Sequence, residues 1–361
     1  YRQPGVKWDR KTVLEEITVT AQKREENIND VPLTVTSATG DYLAERGLGN
    51  GPQSLVQLVP GFQYTEGFTG TPVFTLRGIG FYDINYSAGS TVAVYTDETP
   101  LPFSVMTQQA GLDIARVEVL KGPQGTLFGQ NATGGAINYI AARPTSSFEA
   151  GARVEGNRFG LIETEGYVRG PVSDTVKARL ALRSEQGGAW QESPSHNEEL
   201  GDSDVLVGRL LLDWQPTDTL SFALNLNAWR DRSDVPATQY ASFLPSVAGT
   251  PVDTVYAGLT PPSKDNDEAD WTPGNNYTRD SEQFQSALRI DWDISSALTL
   301  TSISNYVDFS DSRLVDTDGT YLDNTLFDLE GKIESVSQEL RLTGDLGQMK
   351  FMVGANYDRS E

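Results

Sequence analysis

The amino-acid sequence predicts a mixed α/β domain followed by an antiparallel, all-β transmembrane barrel that is incomplete within this chain. Three observations carry this. Up to Pro144 the chain is a series of short β-rich runs broken by Gly, Pro and short helical pieces. Beyond it the runs lengthen and alternate with period two, and the second face carries charge mid-strand. The connections between those later runs alternate short and long, as in barrels with short turns at one rim and long loops at the other.

Residues 1–15 read as a polar N-terminal extension, and residues 16–145 as the mixed domain. Strands are expected at Ile17–Thr20, Leu33–Thr36, Val73–Arg77, Val92–Thr96, Arg116–Leu120 and Gly135–Ile140. Between them, Asp41 is expected to cap a helix at Tyr42–Arg46 that Gly47 stops, and Ser54 to cap Leu55–Val59 before Pro60. Glycines such as Gly61, Gly78, Gly122 and Gly129 mark tight turns.

Residues 146–361 read as about nine strands: 148–157, 161–170, 175–185, 204–215, 219–230, 282–294, 297–308, 334–344 and 348–358. In Val176–Ser184 the apolar Ala178, Leu180 and Leu182 alternate with Lys177, Arg179 and Arg183. A lipid-facing side at Ala178, Leu180, Leu182, Leu206, Leu210 and Leu212 follows, with Arg179, Arg183 and Arg209 toward the lumen. Leu212–Leu220 repeats as Ile290–Leu298: a strand, an aromatic near its end, a short turn, a new strand. Trp214 and Trp292 are the aromatics, and an interface belt is where rings tolerate both lipid and water.

An open sheet leaves two unpaired edges, which hydrocarbon does not tolerate, a nine-stranded closure has no space for a domain inside it, and single-chain bacterial barrels have an even number of strands. The expectation is therefore the N-terminal half of a longer polypeptide. The start, Tyr1-Arg2-Gln3-Pro4, reads as a mature protein or a segment of a longer one.

Composition narrows the function. Among 361 residues, 50 are acidic and 28 basic, a net charge of −22. A nucleic-acid partner needs a basic stripe and is not expected. The absence of cysteine excludes a disulfide framework and thiolate chemistry. No run approaches the about 18 apolar residues of a spanning helix, a criterion that leaves barrels untouched.

Chemistry is sparse. His196, the single histidine, sits in a polar loop without a nucleophile elbow and reads as a solvated residue. Gly129–Gly134 has phosphate-loop glycine spacing, but Gly135-Ala136 stands where Lys-Ser/Thr is required. Gly78-Ile79-Gly80 reads as a turn. The runs Asp265–Asp270 and Asp316–Gly319 lack full calcium-loop spacing and read as solvated charge. Neither an enzyme nor a resident cofactor or metal is expected.

Three segments together carry a family resemblance. The first is Leu14-Glu15-Glu16-Ile17-Thr18-Val19-Thr20-Ala21. The second comprises Phe74-Thr75-Leu76-Arg77-Gly78-Ile79-Gly80 and Val92-Ala93-Val94-Tyr95-Thr96-Asp97. The third is Ala115-Arg116-Val117-Glu118-Val119-Leu120-Lys121-Gly122-Pro123-Gln124-Gly125, continuing to Gly129 and closing with Asn131–Asn138. Together they resemble the plug domain of a TonB-dependent outer-membrane receptor of Gram-negative bacteria. The strands after it resemble the start of that family's 22-stranded barrel. Asp97-Glu98-Thr99-Pro100 departs from the pattern, since a glycine turn is expected there.

The resemblance implies that Glu16, Ile17, Thr18, Val19 and Thr20 form the TonB box, which a TonB-type energy-coupling protein grips by strand pairing. The alternative for the same residues is the first plug strand. Arg77, Arg116 and Glu118 match positions that tie the plug to itself or to the wall, with Arg153, Glu163 or Arg179 as expected partners. The implied function is energised uptake of a scarce bulky solute, such as a ferric siderophore, a cobalamin or a saccharide, across the outer membrane. Outer-membrane lipid and lipopolysaccharide, and a small-molecule or oligosaccharide ligand, are the implied partners. Trp190, Tyr240, Phe243, Tyr256 and Trp271 are loop aromatics able to stack on rings or sugars. The alternative is a plugged-barrel scaffold without transport.

Overall fold

The alternating runs pair in chain order into one antiparallel sheet. The computed structural model describes residues 18–361, apart from 21, 25, 47, 49–50, 68–69, 84, 243–258, 260–264 and 348. In the inner domain, β1 (Thr18–Val19) pairs with β2 (Glu26–Asn27). A five-stranded sheet has the order β3 (Thr34–Thr39), β9 (Ile114–Lys121), β10 (Gly135–Ala141), β7 (Gly89–Thr96) and β8 (Thr99–Phe103). Within it β10 and β7 run parallel. β4 (Phe62–Glu66), β5 (Pro72–Leu76) and β6 (Ile79–Gly80) form a third, smaller sheet.

The helices are α1 (Gly40–Glu45), α2 (Ser54–Leu58) and α3 (Gly125–Phe128). Both expected caps need correction. Thr39, in extended conformation at the end of β3, accepts the Tyr42 N–H on its side chain at 3.2 Å, while Asp41 lies inside the first turn. Ser54 is already helical and its hydroxyl donates back to the Gly51 carbonyl, so it caps nothing.

The wall comprises β11 (Glu149–Gly156), β12 (Ile162–Pro171), β13 (Val176–Gly187), β16 (Ser203–Thr217), β17 (Leu220–Asp231), β18 (Asp280–Ser295), β19 (Leu298–Asp316), β20 (Leu326–Asp345) and β21 (Lys350–Ser360). A small hairpin, β14 (Gln191–Glu192) with β15 (Glu199–Leu200), sits in the loop before β16. Among the described residues, β11 and β21 are the edges. Residues 172–175, 218–219, 296–297 and 346–347 close one rim, and 157–161, 188–202, 232–242, 265–279 and 317–325 lie at the other.

Register explains the charge alternation. Side by side across the sheet lie Val168, Leu180, Leu210 and Leu226, pointing outward. One residue over lie Tyr167, Ala181, Arg209, Asn227 and Gln285, pointing in. Leu180 and Leu182 are 41% and 51% exposed while Arg179 and Arg183 are buried. The apolar side therefore faces away from the inner domain and the polar side grips it, the inverse of a soluble sandwich.

The inner domain's core (Leu43, Leu55, Phe62, Phe74, Leu76, Val94, Ile137) is continuous with wall residues Ala181, Val205, Val207, Trp229, Val307, Phe309 and Ile333. Burying each large side chain contributes roughly 1.5–3 kcal/mol, so the wall helps hold the inner domain together. In both halves of the sequence repeat the register shifts just after the aromatic, between Trp214 and Thr217 and between Asp293 and Ser295. Trp214 and Trp292 stand near the short-turn rim, about half exposed, with Trp214 stacked on Phe222 at 4.8 Å.

Candidate functional site

The two-residue turn between β7 and β8 is Asp97-Glu98, with φ of +48° and +67°. Hairpins of this length favour Asn-Gly or Asp-Gly because an L side chain resists positive φ, at about 1–3 kcal/mol per residue. The carboxylates compensate. Asp97 accepts from the Ala141 N–H at 3.1 Å and from Asn225 Nδ2 of the wall at 2.7 Å, with Arg143 3.6 Å away. Glu98 accepts from Arg289 at 2.8 Å and Arg341 at 2.9 Å, both wall residues. A glycine turn would relax the backbone and lose every one of these links.

The polar contacts continue along the inner face. Asp113, also at positive φ (+49°), takes the Arg179 guanidinium bidentately, with Nε 2.6 Å from Oδ2. Arg209 donates to the carbonyls of Leu112 and Ala110, and Arg183 to Gln109. Gln285 bridges Thr96 and Thr99. Toward the long-loop rim, Tyr86 donates to Asp311, which Arg313 and Ser281 also engage. Burial, assisted by that hydrogen bond to Asp311, pushes the Tyr86 hydroxyl well above its ordinary pKa and keeps it a donor. Charges in such a place must be paired, and removing one partner is costly.

At the opposite rim the N-terminal segment docks on a buried carboxylate. Val19 is fully buried; the Thr20 N–H donates to both oxygens of Glu118, at 2.9 and 3.0 Å, and the Thr20 hydroxyl adds a third bond at 3.1 Å. Glu118 is itself inaccessible and takes Arg116 Nε at 2.8 Å. Beside it opens a polar cleft of about 860 Å³ between inner domain and wall, lined by Thr20, Arg116, Asn138, Arg143, Asp213 and Arg289 among others.

This inner domain matches a known family over residues 27–136, the TonB-dependent Receptor Plug Domain. Residues 27–136 are therefore a TonB-dependent receptor plug domain. It is 29% identical over 234 residues to the pesticin receptor of Yersinia pestis, covering 60% of this chain and 33% of that protein. It is 23% identical over 227 residues to the ferric-pyoverdine 358 receptor of Pseudomonas putida, covering 59% and 25% respectively. The fold matches the ferric yersiniabactin uptake receptor FyuA from Yersinia pestis with a TM-score of 0.71 at 19% identity, over 91% of this chain and 48% of that one. The chain thus spans about a third of the first curated relative and about half of the solved receptor.

In TonB-dependent receptor terms, the inner domain is the plug and the nine strands are barrel wall. Of the predicted box, Glu16 and Ile17 lie outside the described residues, and Thr18–Thr20 are docked on the plug. Of the expected anchors, Arg116 and Glu118 tie the plug to itself, one of the two roles expected of them. The two pair with each other, and Glu118 takes Thr20 and not a wall residue. Arg77, exposed at φ +52°, has its backbone N–H on Gly61 O and no ion-pair partner among the described residues. The anticipated partners are engaged elsewhere: Arg153 with Glu163 and Glu165 on the wall, and Arg179 with Asp113.

The ties between plug and wall run instead through Asp97, Glu98, Asp113, Arg209, Arg289 and Arg341, which sequence reasoning missed as a set. The one signal was the non-glycine turn at Asp97-Glu98. The outer loops also need correction. Trp271 and Tyr277 are buried with Leu200, Ala237 and Ala269 in a small loop core, so they stack on their own chain. Tyr240 and Trp190 are half-buried, and Phe243 and Tyr256 lie outside the described residues. His196 is no solvated residue: Nε2 meets the Trp271 carbonyl at 2.9 Å and its ring packs edge-on to that indole. Asp270 accepts from Ser193 and Ser195, and Asp316 from Thr272, so these acids tie loops together. Exposed aromatics occur on the plug, at Phe81 and Tyr82, and on outer connections at Phe159 and Tyr321.

Proposed function

We propose that this chain is the plug and adjoining wall of a receptor that takes up a ferric siderophore across the outer membrane, driven by a TonB-type protein pulling on Glu16–Thr20. The observation that carries the reading is the docking of Thr18–Thr20 on Glu118 beside the polar cleft. A short extended segment held by a few backbone bonds is one that a partner strand can compete for and peel away. The apolar outer face fits lipid, including the acyl chains of lipopolysaccharide. The solute class is supported by the similarity to a ferric-pyoverdine receptor and a ferric yersiniabactin uptake receptor. Cobalamin and saccharides are the competing cargoes, and Phe81 and Tyr82 offer rings to any of these.

In the full-length receptor, deletion of residues 16–20 is expected to leave solute binding intact and abolish accumulation of labelled ferric pyoverdine. Accumulation that survives the deletion would sink the uptake reading. The burial of Val19 favours a second reading, in which Thr18–Val19 is a permanent plug strand of a non-transporting scaffold. That reading predicts loss of plug folding, and with it binding, on the same deletion.

A further inference from the structure

Asn138 lies on β10, 1% exposed, directly across from Glu118 on β9. Its Nδ2 donates to the Thr20 hydroxyl over a long 3.5 Å, and its Oδ1 accepts the N–H of Glu98 at 3.3 Å. One buried amide therefore touches both the docked box segment and the turn whose side chain holds Arg289 and Arg341 of the wall. That N–H belongs to a residue at φ +67°, so the Asn138 contact supports a conformation the backbone alone disfavours. A second strap runs from Lys23 to Glu339 and on to Arg341, reaching the same turn from the wall side.

We propose that the Asp97-Glu98 turn is the release catch between plug and wall, and that Asn138 is the positioning residue through which the docked box keeps it closed. The inference rests on the uptake reading for its purpose, and on the contacts alone for its mechanics. When Thr20 is drawn off, Asn138 loses its partner on the box and Glu118 loses three of its hydrogen bonds. The amide is then free to turn, and the Glu98 N–H loses the acceptor that held it. The turn relaxes, and Glu98 leaves the two wall arginines. The Lys23 strap lies beyond residue 20, so removing residues 16–20 interrupts the Asn138 route and spares the other.

The test uses the full-length receptor in lipid nanodiscs, spin-labelled at A115C and S221C, two positions that line the cleft from plug and wall. Pulsed EPR reads their separation. Removing residues 16–20 is expected to lengthen and broaden the distance distribution. N138L and E98Q are expected to give that same distribution with the box still present, and the deletion is expected to add nothing in the N138L background. A merely structural Asn138 would leave the response to the deletion intact. An N138L receptor that keeps the parent distance and still responds to the deletion overturns the proposal. T20V, which removes only a hydroxyl from a peripheral segment, serves if N138L fails to fold: a partial shift toward the open distribution supports the proposal, and the parent distribution overturns it. If the distances respond as expected while the intact receptor accumulates no ferric pyoverdine, cobalamin or oligosaccharide, the catch stands and the uptake reading falls.

Discussion

Asp113 of the plug and Arg179 of the wall meet as a buried, bidentate ion pair, with side chains 8% and 4% exposed. The Arg179 guanidinium also lies over the Tyr167 ring, 4.0 Å from its centroid. Replacing Asp113 by Ala leaves a guanidinium buried without its carboxylate, at a cost of about 3–5 kcal/mol. D113A is expected to lower the plug's resistance to urea well before the wall unfolds, followed by protease cleavage of the plug. D113A with R179M removes both charges and should recover much of the loss; equal sensitivity of single and double variants would refute the pair's role.

Leu180 faces outward beside Leu210 on the next strand. An arginine there costs roughly 2–4 kcal/mol if it sits near the bilayer midplane, and far less at the rim. L180R is expected to lower barrel stability on that scale, while L211R fails to assemble, because Leu211 is fully buried on the inner face. Spin labels at 180 and 179 supply the direct check: a lipid-soluble relaxant should reach the first and not the second.

Trp214 and Trp292 are expected at the short-turn interface, and Trp229 and Trp271 are buried. In single-tryptophan variants, lipids brominated near the headgroup should quench the first two strongly and the last two weakly. The opposite order would place the wall wrongly in the bilayer.

Gly319 sits at φ +67°, and a Cβ there would come within 2.5 Å of the Thr238 carbonyl and 2.6 Å of the Tyr240 nitrogen. Both are backbone atoms and cannot swing aside. G319A is expected to open the outer-loop core to limited proteolysis while the plug stays protected; unchanged loop cleavage would argue against that packing.

Asp318 in the same loop is held above its ordinary pKa, first by burial and next by the Asp316 charge. A carboxyl raised on folding contributes stability that is complete below its unfolded pKa, about 3.9, and is lost as pH rises through the folded value. Loop protection against an acid-active protease should therefore increase as pH falls through this range, and D318N should flatten that dependence. A loop that loosens on acidification in the parent but not in D318N would reverse the sign and refute it.

Local pattern carried much of this protein. Period two in Val176–Ser184 already separates Leu180 and Leu182 from Arg179 and Arg183, because consecutive side chains of any strand point to opposite faces. Motifs such as Arg116–Gly129 are contiguous, so the family was legible without coordinates. What the polar face grips was not legible. Glu98 meets Arg289 and Arg341 across 191 and 243 positions, and Glu118 meets Thr20 across 98. Those pairings depend on the register of successive strands and on how the plug sits against them, and a shift of one residue in any strand would exchange its two faces. Sequence alone determined which residues are charged and which face they share; only the tertiary structure decided that the wall is held at Asp97, Glu98 and Asp113, because a buried charge takes the opposite charge that folding brings within reach.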